Sequence, residues 1–157
     1  MTFRIRGLSP APFQPLYGLS DEALARLKVK RMVVTETPGF PDRIEMRDVE
    51  PGETVLLLNH VCQPADTPYR ASHAIFVREG AVETYDRVGE IPDVMRRRLL
   101  SLRAYDSDHM MVDAEVTDGS VAEAVIERFF DNPAVAYIHA HNAKRGCYSG
   151  RIDRVSA

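Results

Sequence analysis

The segment Ile138–Gly150, with the sequence IHAHNAKRGCYSG, gathers side chains that can take part in chemistry. A thiol beside an imidazole can generate the thiolate that nucleophilic catalysis requires. Two histidines at positions i and i+2 of a strand, with a cysteine nearby, can also bind zinc and leave one coordination position open. Cys147, His141 and His139 are therefore the candidate catalytic residues. They are also the candidate metal ligands, although the sequence requires no cofactor.

Strand periodicity turns this segment into a geometric prediction. If Asn142–Gly146 form a five-residue loop between two strands, His141 faces Cys147 across the hairpin. His139 then lies on the same sheet face, and Tyr148 points to the opposite face. A loop that is one residue shorter would move Cys147 to the other face.

A structural role is the alternative explanation for the same residues. His139 and His141 can be hydrogen-bonded polar residues on a sheet face, and Cys147 can be a small buried hydrophobic residue. The sequence leaves three alternatives open, namely this structural role, an ordinary ligand pocket, and metal or thiol chemistry.

Two clusters favour recognition of an anion. One is the basic turn of the predicted hairpin, where backbone amides and a guanidinium can hold a carboxylate or phosphate. Its candidate binding residues are Asn142, Arg145 and Tyr148. The other is the loop that follows a buried strand, a position where loops often carry function. Its candidate residues are Asn59, His60, Tyr69, Arg70 and Ser72.

Composition restricts the class of protein. The 157 residues are 45% hydrophobic and 27% charged, which is typical of one globular domain over 1–157. A net charge of -3 gives no reason to expect nucleic acid as a partner. No apolar stretch approaches the roughly 20 residues of a membrane span, so we expect no membrane partner and a cytoplasmic location. Two distant cysteines, Cys62 and Cys147, indicate reduced thiols rather than a disulfide framework.

Capping signals predict three helices after an extended N-terminal arm over 1–18. Ser20 is a good N-cap for a helix that ends near Lys28. Pro92 begins a second helix, and a capping box of Ser120 and Glu123 begins a third. The apolar face of the second helix consists of Met95, Leu99 and Leu102.

Strand signals fill most of the remaining chain. An unbroken apolar run at 55–58 predicts a strand at the centre of a sheet, and Val61–Ser72 is predicted to be a loop. Alternation at 110–116 predicts a half-buried strand. The other predicted strands are 31–35, 43–46, a hairpin of 74–78 with 81–85, and 135–141 paired with 147–155. The sequence therefore predicts an α+β fold with about three helices on a largely antiparallel or mixed sheet.

Five ordered stretches carry a resemblance to a known family. PGFPDR, EPGETVLLLN, QPADTPYRAS, IFVRE and IHAHNAKRGCY resemble the bacterial family called domain of unknown function 1203. The resemblance covers nearly the whole chain and implies no established activity, substrate or cofactor. The family pattern often has cysteine at the position of Asp42 and glycine at the position of His73. A mechanism that needs a thiol at position 42 would lack it here.

Three functional hypotheses follow from the sequence. The first is binding of a small anionic ligand, with Arg70 and Arg145 as charge partners above a floor of His139, His141 and Cys147. The second is an enzyme in which Cys147 is the nucleophile or a metal ligand and the two histidines are bases or ligands, with zinc as the fitting metal. The third is a non-catalytic module whose sheet face binds a partner chain. Oligomeric state is not encoded in any of these patterns.

Overall fold

Nine strands and three α-helices form within residues 2–155, the part of the chain that this computed structural model describes. The strands are β1 (Phe3–Arg6), β2 (Lys30–Val33), β3 (Thr54–Gln63), β4 (Ala71–Arg78), β5 (Asp86–Val88), β6 (Leu99–Tyr105), β7 (Met111–Asp118), β8 (Tyr137–Asn142) and β9 (Tyr148–Arg154). The helices are α1 (Asp21–Arg26), α2 (Asp93–Arg96) and α3 (Ala122–Asp131), with 3-10 turns at Gln14–Leu16 and Gly119–Val121. The predicted α+β class is confirmed.

The strands form two antiparallel sheets. The larger sheet has the order β5-β1-β9-β8-β6-β7, and the smaller has the order β2-β3-β4. Two predictions are confirmed here: β8 pairs with β9, and the apolar run at 55–58 lies in β3, the central strand of the smaller sheet. None of the helices in residues 2–155 combines the length and apolar character that crossing a membrane requires.

One face of the larger sheet packs against α3. The buried side chains of this helix are Ala122, Val125, Ile126, Phe129 and Phe130. Their spacing of three and four residues places them on one side of the helix. Ile138 and Ala140 of β8 belong to the same apolar core. Because side chains alternate along a strand, His139 and His141 point to the opposite face of the sheet.

The smaller sheet faces that polar side through β3 and β4. Along β3 the side chains of Leu56, Leu58 and His60 share a face by alternation. A bulge between Val61 and Gln63 then interrupts the pairing with β4. The strand therefore extends two residues beyond Val61, and the connection to β4 is the shorter segment 64–70. The prediction of a loop over Val61–Ser72 is wrong because apolar periodicity does not reveal the polar end of this strand.

A buried carboxylate fixes the segment that precedes β3 against β4. Asp42 is 1% exposed, and its oxygens accept the backbone N–H groups of Ile44 at 3.2 Å, Glu45 at 2.5 Å and Arg78 at 2.6 Å. Burial raises the pKa of Asp42, while these three N–H donors favour its ionised form. The predicted strand over 43–46 is absent, because these residues bend around the carboxylate instead of pairing.

The second predicted helix is mostly a strand. The helix α2 ends at Arg96, and Leu99 already belongs to β6. Leu100, Leu102 and Ala104 are buried at every second position, and β6 pairs with both β7 and β8. The three apolar residues used for the prediction satisfy a helical period, but strand pairing on both sides determines the outcome.

The predicted hairpin of 74–78 with 81–85 also does not form. β4 pairs with β3, and the chain beyond Gly80 crosses to the larger sheet, where β5 pairs with β1. Turn chemistry at Glu79 and Gly80 indicates only a turn, and it does not say which strand follows as a partner.

Two further predictions fail, one for the residues that follow β7 and one for β7 itself. The predicted capping box does not form, because Asp118 and not Glu123 accepts the N–H of Ser120, at 2.9 Å. Glu123 instead forms an ion pair with Arg96. The strand itself lies at the edge of the larger sheet and is exposed on both faces, since Val116 is 58% exposed. It is therefore not half-buried as its alternation predicts.

Replacing Glu79 by Gln is expected to destabilise the fold by about 1–3 kcal/mol near neutral pH. Glu79 accepts hydrogen bonds from Arg31 at 2.7 and 2.8 Å, Thr54 at 3.0 Å and the N–H of Gly18 at 2.9 Å. Arg31 holds the pKa of Glu79 at about 2. The contribution of ionised Glu79 to the free energy of unfolding is therefore present above about pH 4.5 and is lost as the pH falls towards 2.

Denaturant unfolding near neutral pH and at about pH 3 measures this effect. We expect the difference between wild type and Glu79→Gln to narrow on acidification, and the exposed Glu83→Gln variant to match wild type at both pH values. A difference that is independent of pH would contradict the assigned ion pair.

Candidate functional site

A four-residue turn over 143–146 sets the register of the β8–β9 hairpin, because the N–H of Asn142 donates to the carbonyl of Cys147 at 2.9 Å. His141 pairs with Tyr148 and His139 pairs with Arg151, with a register shift just before His141. The predicted register, in which His141 faces Cys147, is therefore wrong. The loop is one residue shorter than the predicted Asn142–Gly146, so His141 lies opposite Tyr148, and the bulge farther along β9 then places Arg151 opposite His139.

Tyr148 consequently lies on the histidine face, and the prediction that it points to the other face is wrong. Its ring centroid is 5.3 Å from that of His139 and 5.8 Å from that of His141. The turn closes at Gly146, whose φ of 75° is left-handed and suits glycine. The carbonyl of Gly146 lies 2.9 Å from Nδ1 of His141, so this nitrogen carries the proton.

Ring contacts join all five histidines of the chain into one layer between the sheets. Neighbouring ring centroids in this polar layer lie 4.9–6.1 Å apart. Its members are His60, His73, His109, His139, His141, Tyr69, Tyr105, Tyr137 and Tyr148. Gln63 of the smaller sheet donates to the hydroxyl of Tyr137 at 2.9 Å. The layer therefore replaces an apolar core where the two sheets meet.

Burial keeps the two strand histidines neutral. Desolvation lowers the pKa of His139 to about 3 and that of His141 to about 4. A general base works best when its pKa lies near the working pH, so both imidazoles are poorly matched to that role near neutrality. A neutral imidazole is nevertheless the form that binds a metal ion.

Cys147 is paired with an arginine and not with a histidine. Arg43 is 2% exposed and donates to Sγ of Cys147 at 3.1 Å, to the carbonyl of Tyr148 at 2.8 Å and to the carbonyl of Pro41 at 2.6 Å. Nδ2 of Asn142 lies 3.8 Å from the same sulfur. The sulfur thus accepts two N–H groups, one of which comes from a guanidinium.

A cleft of about 640 Å³ opens beside this sulfur. Its walls come from the edge of β4, the segment 36–43, the turn 97–99 and the tip of the β8–β9 hairpin. Its polar lining residues are Glu36, Arg43, His73, Arg97, Arg98, Asn142, Lys144, Arg145 and Cys147. Five of these are basic and one is acidic, so the basic cleft, as we call it, favours a negatively charged occupant.

Some of the residues predicted from sequence line the basic cleft. They are Asn142, Arg145 and Cys147. The candidates from the β3–β4 connection lie elsewhere. Arg70 is exposed and donates to the carbonyl of Pro64 in its own connection, while Tyr69 packs edge-on against Tyr105. Arg70 and Arg145 therefore do not converge on this cleft.

The remaining candidates lie on β3 and β4. Asn59 and Ser72 are exposed. His60 is within the polar layer, with its ring 6.2 Å from Phe13 and 6.1 Å from Tyr148.

Sequence reasoning missed three residues of this region. Arg43 lies in the quoted PGFPDR stretch, but nothing local indicates that its side chain reaches Cys147. Cys62 and His73 come from β3 and β4, and their donor atoms lie within 4.8 Å of a donor atom of His141. The alternation of Leu58, His60 and Cys62 is the signal from which β3 could have been predicted to extend to its polar end.

Cys147 and Cys62 are expected to differ in reactivity. Cys147 is partly exposed in the cleft, whereas Cys62 is buried and burial raises the pKa of its thiol. Iodoacetamide added to the native protein near neutral pH should therefore modify Cys147 first, and Cys62 only after denaturation. Peptide mass spectrometry measures the two sites, with Cys147→Ser as the control. Equal labelling of Cys62 in the native protein would contradict this arrangement.

Comparison with known proteins agrees with the resemblance noted above. A family model described as "Protein of unknown function (DUF1203)" matches residues 39–154. No curated protein and no solved structure matches the chain. The matched residues include Arg43, the strands of the polar layer and the whole β8–β9 hairpin. The chain therefore belongs to the family of proteins of unknown function DUF1203.

Proposed function

We propose that this protein binds a small carboxylate or phosphate anion in the basic cleft. The observation that supports this most strongly is the concentration of five basic side chains from three chain segments around one cleft with a single carboxylate. A volume of about 640 Å³ lies in the range of small-molecule sites. Positive potential in a concave site raises the local concentration of anions.

The basic side chains divide into structural and available ones. The donors of Arg43 are directed to two carbonyls and a sulfur, and Asp48 pairs with Arg98 at 2.6 Å and with Arg97 at 3.4 Å. Lys144 and Arg145 lie exposed at the hairpin tip and have no ion pair with other described residues. These two side chains can therefore turn to a ligand without breaking an existing contact.

A buried amide oxygen adds a second requirement for the chemistry of the ligand. Oδ1 of Asn142 is buried and has no hydrogen-bond partner among the described residues, although Asn142 lines the cleft. An unpaired buried acceptor costs about 1–3 kcal/mol, which a donor on a ligand would offset. The ligand is therefore a small carboxylate or phosphate that also carries a hydroxyl or amino group.

Malate, succinate and inorganic phosphate test this function when the melting temperature is measured with a chelator present. Malate combines carboxylates with a hydroxyl, and we expect it to raise the melting temperature more than succinate does. At about 100 times Kd the stabilisation is about 2.7 kcal/mol, or several degrees. Arg145→Gln should remove most of the shift, because Arg145 supplies available charge.

Arg70→Gln is the matched control, since this exposed arginine lies outside the cleft. It should keep the full shift. The proposal fails if none of the three anions shifts the melting temperature, or if Arg145→Gln and Arg70→Gln respond alike.

A further inference from the structure

Three side chains with metal-binding atoms converge between the two sheets. Cys62 comes from β3, His73 from β4 and His141 from β8, and one donor atom of each lies within 4.8 Å of the others. The rings of His73 and His141 meet edge-on, with centroids 4.9 Å apart and an interplanar angle of 74°. This trio differs from the set on one hairpin that the sequence predicts, because only His141 belongs to both.

His141 is oriented as metal-binding histidines usually are. Its Nδ1–H donates to the carbonyl of Gly146 at 2.9 Å. A hydrogen bond from one ring nitrogen to a carbonyl fixes the tautomer and leaves the lone pair of Nε2 for a metal ion. His141 is 1% exposed, so its ring cannot turn to water.

The other two side chains have little else to bind. Nε2 of His73 is buried and has no hydrogen-bond partner among the described residues. Sγ of Cys62 donates a weak hydrogen bond to the carbonyl of Ala71 at 3.5 Å, and the backbone N–H groups of Cys62 and Gln63 also approach it. Buried polar atoms are nearly always paired, so an unpaired ring nitrogen beside a thiol and a second imidazole indicates a missing ligand.

We propose that Cys62, His73 and His141 form a binding site for a zinc ion. One thiolate and two imidazoles are donors that zinc accepts, at about 2.3 Å for sulfur and about 2.0–2.1 Å for nitrogen. In tetrahedral coordination the donors are then about 3.4–3.6 Å apart. Side-chain rotation that draws the trio together by about 1 Å provides this geometry.

The zinc site lies next to the anion site and shares one residue with it. His73 lines the basic cleft and is also a member of the trio. Three protein ligands leave a fourth position for water or for a ligand atom.

Cobalt(II) is the probe for this site, since it replaces zinc in tetrahedral sites and absorbs light when a thiolate binds it. Untagged, metal-free protein is titrated with cobalt(II), and zinc affinity is then measured by displacement. We expect a thiolate-to-cobalt absorption band at one equivalent. Cys62→Ser should abolish the band, and His73→Gln should weaken zinc binding at least about 100-fold, since loss of even a supporting residue costs about 10–100-fold.

Cys147→Ser and His109→Gln are the matched controls, because neither residue belongs to the trio. Both should keep the band and the zinc affinity of wild type. His73→Gln changes a partly exposed side chain, so its result does not depend on whether Cys62→Ser folds.

Absence of the band in wild type overturns the proposal, as does a band that Cys147→Ser removes and Cys62→Ser retains. The titration is run without organic anions, and the anion titration is run with a chelator. Failure of the zinc proposal can therefore be distinguished from failure of the anion proposal.

Discussion

The buried side chains of Asp42 and Arg43 hold the two sheets together. Asp42 binds three backbone N–H groups, including that of Arg78 on β4, and thereby fixes the segment before β3 against the smaller sheet. Arg43, the next residue, reaches the carbonyl of Tyr148 and the sulfur of Cys147 on the hairpin of the larger sheet. One dipeptide thus positions β4 relative to the β8–β9 hairpin. The basic cleft and the Cys62, His73, His141 trio both span that junction.

Buried polar atoms without partners between the sheets lower the free energy of unfolding. Those found among the described residues are His73 Nε2, His139 Nδ1 and Asn142 Oδ1, and each costs about 1–3 kcal/mol when buried. All three belong to the polar layer or to the cleft wall. A core of apolar side chains would avoid this cost, so the clustering agrees with a region that is completed by ligands. A metal ion and an anion with a hydrogen-bond donor would each provide partners for some of these unpaired atoms.

Much of the fold follows from local patterns, whereas the site depends on distant contacts. The helix after Ser20, the strand at 55–58 and the pairing of the last two strands are predictable because capping, apolar runs and turns act over a few residues. β6 is mispredicted because Met95, Leu99 and Leu102 fit a helical period as well. The predicted hairpin register is wrong because the loop is one residue shorter than the five residues assumed. Cys62, His73 and Arg43 reach the site only by sheet packing, which a single sequence does not encode in its spacing.

Anomalous diffraction at the zinc absorption edge tests the central claim most directly. Crystals of the untagged protein grown with one equivalent of zinc would be measured on both sides of the edge. The account predicts one strong anomalous peak within about 2.0–2.3 Å of Cys62 Sγ and of ring nitrogens of His73 and His141. A peak between His139 and Cys147, or no peak inside the protein, would contradict it.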